Sequence, residues 1–253
     1  MELIIITNMT MVTHMIMITS TIITMTMTER PASLLRLMSW LSPAFPIGAF
    51  AYSHGLERAI DDELIVNRSS LVRWLDDLVA RGSGWNDAVL LAQAWREASA
   101  GRDCEDVMEL AEAMAGSKER HMETTLQGAA FGEAVAAWIV PDERQSSQSF
   151  AAGRPVSYPV AVGMAAAQHS LSLPETLTAH LHAFTSNLIQ AAVRLVPLGQ
   201  RDGVAALVAL EPVILQVASQ AARSSLDDLG SSTFFSDLLS MRHETQYSRV
   251  FRS

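Results

Sequence analysis

Apolar residues recur with a helical period along nearly the whole chain. Leu71, Trp74, Leu75, Leu78 and Val79 fall at i, i+3, i+4, i+7 and i+8 behind Asn67, which gives one apolar face and leaves Asp76, Asp77 and Arg81 off it. Gly82 and Gly84 close that helix. The next stripes are Val89, Leu90 and Trp95 over 86–98, then Val107, Leu110, Ala111 and Met114 over 103–115. An Ala/Gly-rich helix over 119–140 carries Leu126, Phe131 and Trp138 and stops at Pro141; residues 141–155 are polar and read as the longest internal loop. Pro159 opens a helix at its first turn, and Ser172 with Glu175 has capping-box spacing ahead of the longest stripe, Leu177, Leu181, Phe184, Leu188 and Leu195. Pro197 and Gly199 end it. Asp202 is placed to cap the following run over 204–223, which Pro212 should kink or split, and a last helix over 233–242 presents Phe234, Leu238 and Met241 as its apolar face. Beyond residue 30 nothing alternates with period two. The pattern predicts an all-α fold, a single-domain bundle of about eight to ten helices with a flexible N-terminal extension and a C-terminal tail.

The stretch from Leu34 to Glu57 departs from this regularity. Leu34, Leu35, Leu37, Met38 and Leu41 form a stripe behind Ser33, and Pro43 breaks the helix. Pro43 and Pro46 lack amide donors and push the residues before them toward extended backbone, so 42–47 is an irregular loop, released by Gly48. Phe50, Tyr52, His54, Leu56 and Glu57 then crowd aromatic, imidazole and carboxylate groups together. A helix-loop-helix corner with core aromatics accounts for the pattern; a functional corner accounts for it too.

Composition narrows the class of partner. With 49% apolar and 18% charged residues in 253, the chain is long enough to bury a core. A net charge of −9 and a single lysine, Lys118, leave no basic patch for nucleic acid. The lone cysteine, Cys104, makes neither an internal disulfide nor a multi-cysteine zinc site, which fits a cytoplasmic location. Residues 1–30 are a low-complexity Met/Thr/Ile extension, read as disordered or as a misassigned start, ahead of the helical domain over 31–253. Threonines interrupt it too often for a membrane helix. Its Met-x-Met pairs around His14 match soft Cu(I) ligands, but a Met/Thr run produces such pairs by chance.

Catalytic signatures are missing. There is no nucleotide-binding loop, no nucleophile elbow and no S-x-x-K, and Tyr247 stands where the second histidine of a zinc-protease motif begun by His243-Glu244 belongs. His180 and His182 point about 200° apart on a helix and cannot share one ion. His54 with Glu57, and His243 with Gln246, have spacing that fits a direct nickel site or a plain hydrogen-bonded pair. At the terminus, Tyr247, Arg249, Phe251 and Arg252 alternate aromatic and guanidinium groups, residue types that anchor interfaces; a tail folded on its own core uses them as well.

Four stretches bring in a resemblance. SPAFPIGAFAYSHGLE from Ser42, RPVSYPVAVG from Arg154, AVRLVPLGQ from Ala192 and LLSMRHETQYSRVFRS from Leu238 resemble, in that order, the UreF family of urease accessory proteins, with Val250 in place of an expected leucine. The resemblance implies a non-catalytic, cofactor-free, dimeric scaffold that bridges UreD (UreH) to the GTPase UreG on apo-urease, so that GTP hydrolysis is coupled to nickel insertion. On that footing Phe45, Pro46, Gly48, Tyr52 and His54 shape a recruitment or dimer corner, and Tyr247, Arg249, Phe251 and Arg252 dock onto UreD. Glu57, Arg194, Gly199, Gln200, His243 and Glu244 lie in matched stretches without an assigned role. The alternatives are a direct nickel carrier and a helical small-molecule enzyme.

Overall fold

The computed structural model describes residues 31–138 and 156–252. The Met/Thr/Ile extension and the whole of the polar 141–155 loop lie outside them. The described residues form α-helices and short 3-10 turns, with no strand among them: α1 (31–40), α2 (Leu56–Asp61), α3 (Arg68–Arg81), α4 (Ser83–Ser99), α5 (Glu105–Ala113), α6 (Lys118–Val135), α7 (Tyr158–Gln168), α8 (Leu173–Leu195), α9 (Gln200–Ala221) and α10 (Phe234–His243).

The core is organised on α4. It carries Ala88, Val89, Leu90, Leu91, Ala92 and Ala94, buried on several sides, because α7 packs along it most extensively while α3, α5, α8 and α9 also touch it. Small residues set the α4–α7 distance: a Cβ on Gly163 would stand 2.4 Å from the Leu91 carbonyl oxygen. The alanines of α7 are buried for the same reason. On one side α3, α8 and α9 pack on each other; on the other α6 lies against α7, and α2 pairs with α10. By length and composition α9 is the one described helix able to cross a membrane; here it packs along α3 and α8.

Several local expectations change. Ser172 is the N-cap of α8, but its carbonyl rather than its hydroxyl serves the first turn, accepting from Thr176 N at 2.9 Å and Thr176 Oγ1 at 2.8 Å. Gly199, not Asp202, caps α9, and Asp202 stands in the first turn, where its charge suits the helix dipole. Pro212 does not split α9. It lies on the exposed side above Val208, where a carbonyl deprived of its amide partner can be hydrated. In α1 the buried residues are Leu37 and Trp40, and Leu34, Leu35 and Met38 of the expected stripe are exposed.

The largest change is in α10. Phe234, Leu238 and Met241, the expected inner face, are exposed, and the helix buries Ser236, Leu239, Ser240 and His243. Hydrogen bonding and close approach override apolar periodicity here. Ser240 Oγ lies 2.9 Å from Ser117 Oγ, and a Cβ on Gly55 would be 2.8 Å from the Ser240 amide. Only small residues admit α10 this close to α2.

Candidate functional site

The corner between α1 and α2 is built by left-handed residues. Gly48 has φ 73°, a 3-10 turn follows over Ala49–Ala51, and His54 (φ 55°) and Gly55 (φ 74°) together swing the chain into α2. A histidine at positive φ is uncommon and needs support from its surroundings. That support comes from α6: His54 Nε2 is 2.7 Å from Glu123 Oε1 and 2.8 Å from Arg120 Nη1, and Arg120 Nη1 donates to Glu123 Oε2 at 2.8 Å. Its ring meets Phe184 edge-on at 4.9 Å.

This buried cluster forms the wall of a cavity of about 140 Å³. Phe45, His54, Asp87, Arg120, Tyr158 and His180 line it. A second cavity of about 110 Å³ shares His54, Asp87 and Arg120 and continues toward Asp237 and Ser240. Burial lowers the proton affinity of His54, aided by Arg120. Burial acts to raise Glu123, but the neighbouring imidazole and the Arg120 guanidinium hold its carboxyl at about 2. We assign the charged pair to Arg120 and Glu123, with His54 neutral. Asp87 goes the other way: burial, assisted by Glu123 and opposed by Arg120, pushes it up to about 6. His180 is pushed down to about 4 by burial, and neither of its ring nitrogens has a hydrogen-bond partner among the described residues.

Asp87 provides a pH prediction. Its folded-state value lies above its ordinary one near 3.8, so its ionisation opposes folding above that value and the opposition is complete above about pH 6. Asp87→Asn is therefore expected to gain about 3 kcal/mol relative to wild type at neutral pH and nothing below about pH 4. Urea midpoints at both pH values test this; a constant difference would mean the carboxylate charge is not what matters.

The tail enters the same region. His243 is fully buried, with Nδ1 2.7 Å from Glu119 Oε2 and Nε2 3.2 Å from Glu57 Oε2. Glu57 also accepts from Val250 N at 2.7 Å and Phe251 N at 2.9 Å, and Glu119 pairs with Arg249. Phe251 is buried beneath the Arg194 guanidinium, 4.6 Å from its ring centre. Arg194 Nη2 donates to the Phe50 carbonyl at 3.0 Å, Asn187 to the Ala49 carbonyl at 3.0 Å, and the Arg252 amide to the Ala51 carbonyl at 2.8 Å.

The four stretches noted in the sequence thus meet at one place. The corner supplies Phe45 and His54, the second stretch Tyr158, the third Arg194, and the fourth His243 and Phe251. Tyr52 is buried, Pro46 is exposed, and Phe45 stacks against Phe131 and Trp138 at ring distances of 5.7 and 6.2 Å. Glu244 accepts from the Lys118 amide at 2.9 Å. Gly199 and Gln200 form the α8–α9 bend, and Tyr247 projects wholly into solvent. The helical pairs considered for nickel do not form. His54 precedes α2 and turns to Glu123, whereas Glu57 turns to His243. Among the described residues no three His, Cys, Asp or Glu side chains gather as a metal site. Cys104 is buried, and its burial, reinforced by Glu97 and Asp103, pushes its thiol up to about 11.

Sequence reasoning missed Asp87, Glu119, Arg120 and Glu123. A signal was present: Glu119, Glu123 and Gln127 stand at i, i+4 and i+8 on an otherwise Ala/Gly-rich helix, and all three are buried. A polar stripe on the inward face of a helix needs partners, and the corner and the tail provide them.

Comparison with known proteins gives this geometry its context. Residues 65–211 match the UreF family model. The chain belongs to the UreF family. It is 52% identical over 240 residues to the urease accessory protein UreF 1 of Brucella abortus, an alignment covering 92% of this chain and 100% of the relative. It is 52% identical over 229 residues to the urease accessory protein UreF of Mesorhizobium japonicum, covering 90% and 100%. Membership in UreF places the chain in a family of urease accessory proteins.

Proposed function

We propose that this UreF protein is a non-catalytic scaffold of urease maturation in the cytoplasm. It bridges UreD (UreH) to the GTPase UreG on apo-urease and serves GTP-dependent insertion of the nickel cargo. The observation that carries the reading is the unpartnered apolar face of α10 and the tail. Phe234 is 78% exposed, Val250 71%, and Phe235, Met241 and Tyr247 stand with them in solvent, while the opposite side is fixed by buried hydrogen bonds. A helix held in place by its polar side and offering its apolar side has the form of a docking element. UreD is its occupant. The corner beneath, braced by Arg194 and the tail, shapes the surface that recruits UreG.

A second apolar face supports a homodimer. Leu34, Met38, Pro174, Ala179, Ile214 and Leu215 line a groove between α1, α8 and α9, and Leu34, Met38 and Leu215 are exposed there. Like faces of two copies cover it.

The test is size-exclusion chromatography of the chain with UreD and then UreG. Paired substitutions Tyr247→Glu and Val250→Glu change two exposed side chains and leave the fold intact. They are expected to weaken UreD binding by at least about 30-fold. Equal assembly by variant and wild type would overturn the α10–tail assignment, and no assembly by either would overturn the scaffold reading.

A further inference from the structure

His243 is a fully buried imidazole with a carboxylate oxygen against each ring nitrogen. A neutral imidazole has one N–H and one lone pair, so one of those contacts would set a lone pair against an anionic oxygen. With both carboxylates ionised, both contacts are attractive only when both nitrogens carry protons. The same carboxylates hold the chain terminus: Glu57 takes the amides of Val250 and Phe251, and Glu119 takes Arg249.

The surrounding charges make the imidazolium central. From α2 the group facing the ring is Glu57, from α6 it is Glu119, and from the tail Arg249 reaches the far oxygen of Glu119. The flanking charges of α10 are engaged elsewhere, Arg242 near Asp62 at 3.4 Å and Glu244 at the Lys118 amide. Arg194 of α8 lies over Phe251 rather than over the imidazole. The neighbouring Arg120, Glu123 and His54 side chains bond to one another rather than to the His243 ring. Around the ring, then, two buried carboxylates face one guanidinium, and an imidazolium at His243 would supply the second positive charge.

We propose that His243 is a positioning residue that works as a proton-dependent clasp: its imidazolium holds Glu57 and Glu119 together, and through them seats residues 249–252 against the corner. Loss of the proton as pH rises leaves two buried carboxylates sharing Arg249 alone, and the terminus lifts. Phe251 then leaves Arg194, and the Arg252–Ala51 hydrogen bond opens with it. Insofar as the tail serves UreD, which rests on the function proposed above, docking weakens with alkalinity. The clasp itself needs no partner.

Hydrogen exchange of the full chain alone tests it. Protection at the Val250, Phe251 and Arg252 amides, corrected for intrinsic exchange, is expected to fall by about tenfold or more from about pH 6 to about pH 9, while α4 and α7 amides hold theirs. His243→Gln offers a single donor end and is expected to show low protection with no pH response. Nitrogen-15 shifts of His243 in the wild-type chain should report both ring nitrogens protonated at the lower pH, a measurement that does not depend on the variant folding. A neutral tautomer there, pH-independent protection in wild type, or a pH response that survives His243→Gln would each overturn the clasp. Because these readouts use the isolated chain, failure of UreD binding leaves the clasp standing, and a failed clasp leaves UreD binding to its own test.

Discussion

Gly163→Ala is expected to lower the thermal midpoint by roughly 6–12 °C, the equivalent of about 3 kcal/mol. The added Cβ would stand 2.4 Å from the Leu91 carbonyl oxygen and 3.1 Å from Ala94 Cβ. Both belong to the interior of α4, the helix that α3, α5, α7, α8 and α9 all touch, so neither can move aside as the end of a flexible side chain would. Either α7 is displaced or backbone hydrogen bonds of α4 distort. Gly199→Ala is the control. Its backbone is extended at φ −80°, no described residue lies within 4 Å of the added atom, and the change is expected to cost no more than the loss of a glycine N-cap, about 1 kcal/mol. Differential scanning calorimetry of the two variants separates them; similar midpoints would mean the α4–α7 contact is looser than the described packing.

Glu123→Ala is expected to cost about 3–5 kcal/mol at neutral pH. The carboxylate is almost fully buried and meets Arg120, His54 and Gln127 together. Without it the buried guanidinium is left with the neutral His54 ring and the Asp87 carboxylate 3.8 Å away, and His54 loses a support of its left-handed backbone. The pH dependence follows from its depressed value of about 2 against an ordinary one near 4.5. The stabilisation is complete above about pH 4.5 and is lost as pH falls through about 2. Denaturation midpoints of wild type and variant should converge on acidification. A gap of constant size would assign the loss to the vacated volume, and Glu123→Gln, which keeps the shape and removes the charge, distinguishes the two causes.

The amphipathic faces of α3 and α8 were legible because each turns an apolar stripe toward the core and keeps polar residues on its outer side, where a 3.6-residue period registers directly. His180 and His182 also read correctly as opposed, one buried and one exposed. The period misleads in α10, where serines and His243 go inward and the phenylalanines outward. Apolar spacing cannot reveal that Gly55, Ser117, Glu57 and Glu119, all distant in sequence, wait on the other side. It also misleads at α1, whose leucines face a groove that the chain's own described helices leave uncovered.

By itself, then, the sequence determined the all-helical class, most element boundaries, the prolines and glycines of the corner, and the family. These are local properties of spacing, backbone freedom and motif, readable one segment at a time. The buried Arg120–Glu123–His54 cluster, the His243 clasp and the choice of which apolar face stays outside came from the tertiary structure alone. Each depends on a charge or a close contact supplied by a segment dozens to nearly two hundred residues away in the chain, and the energy of a buried charge is set by what surrounds it rather than by its neighbours in sequence.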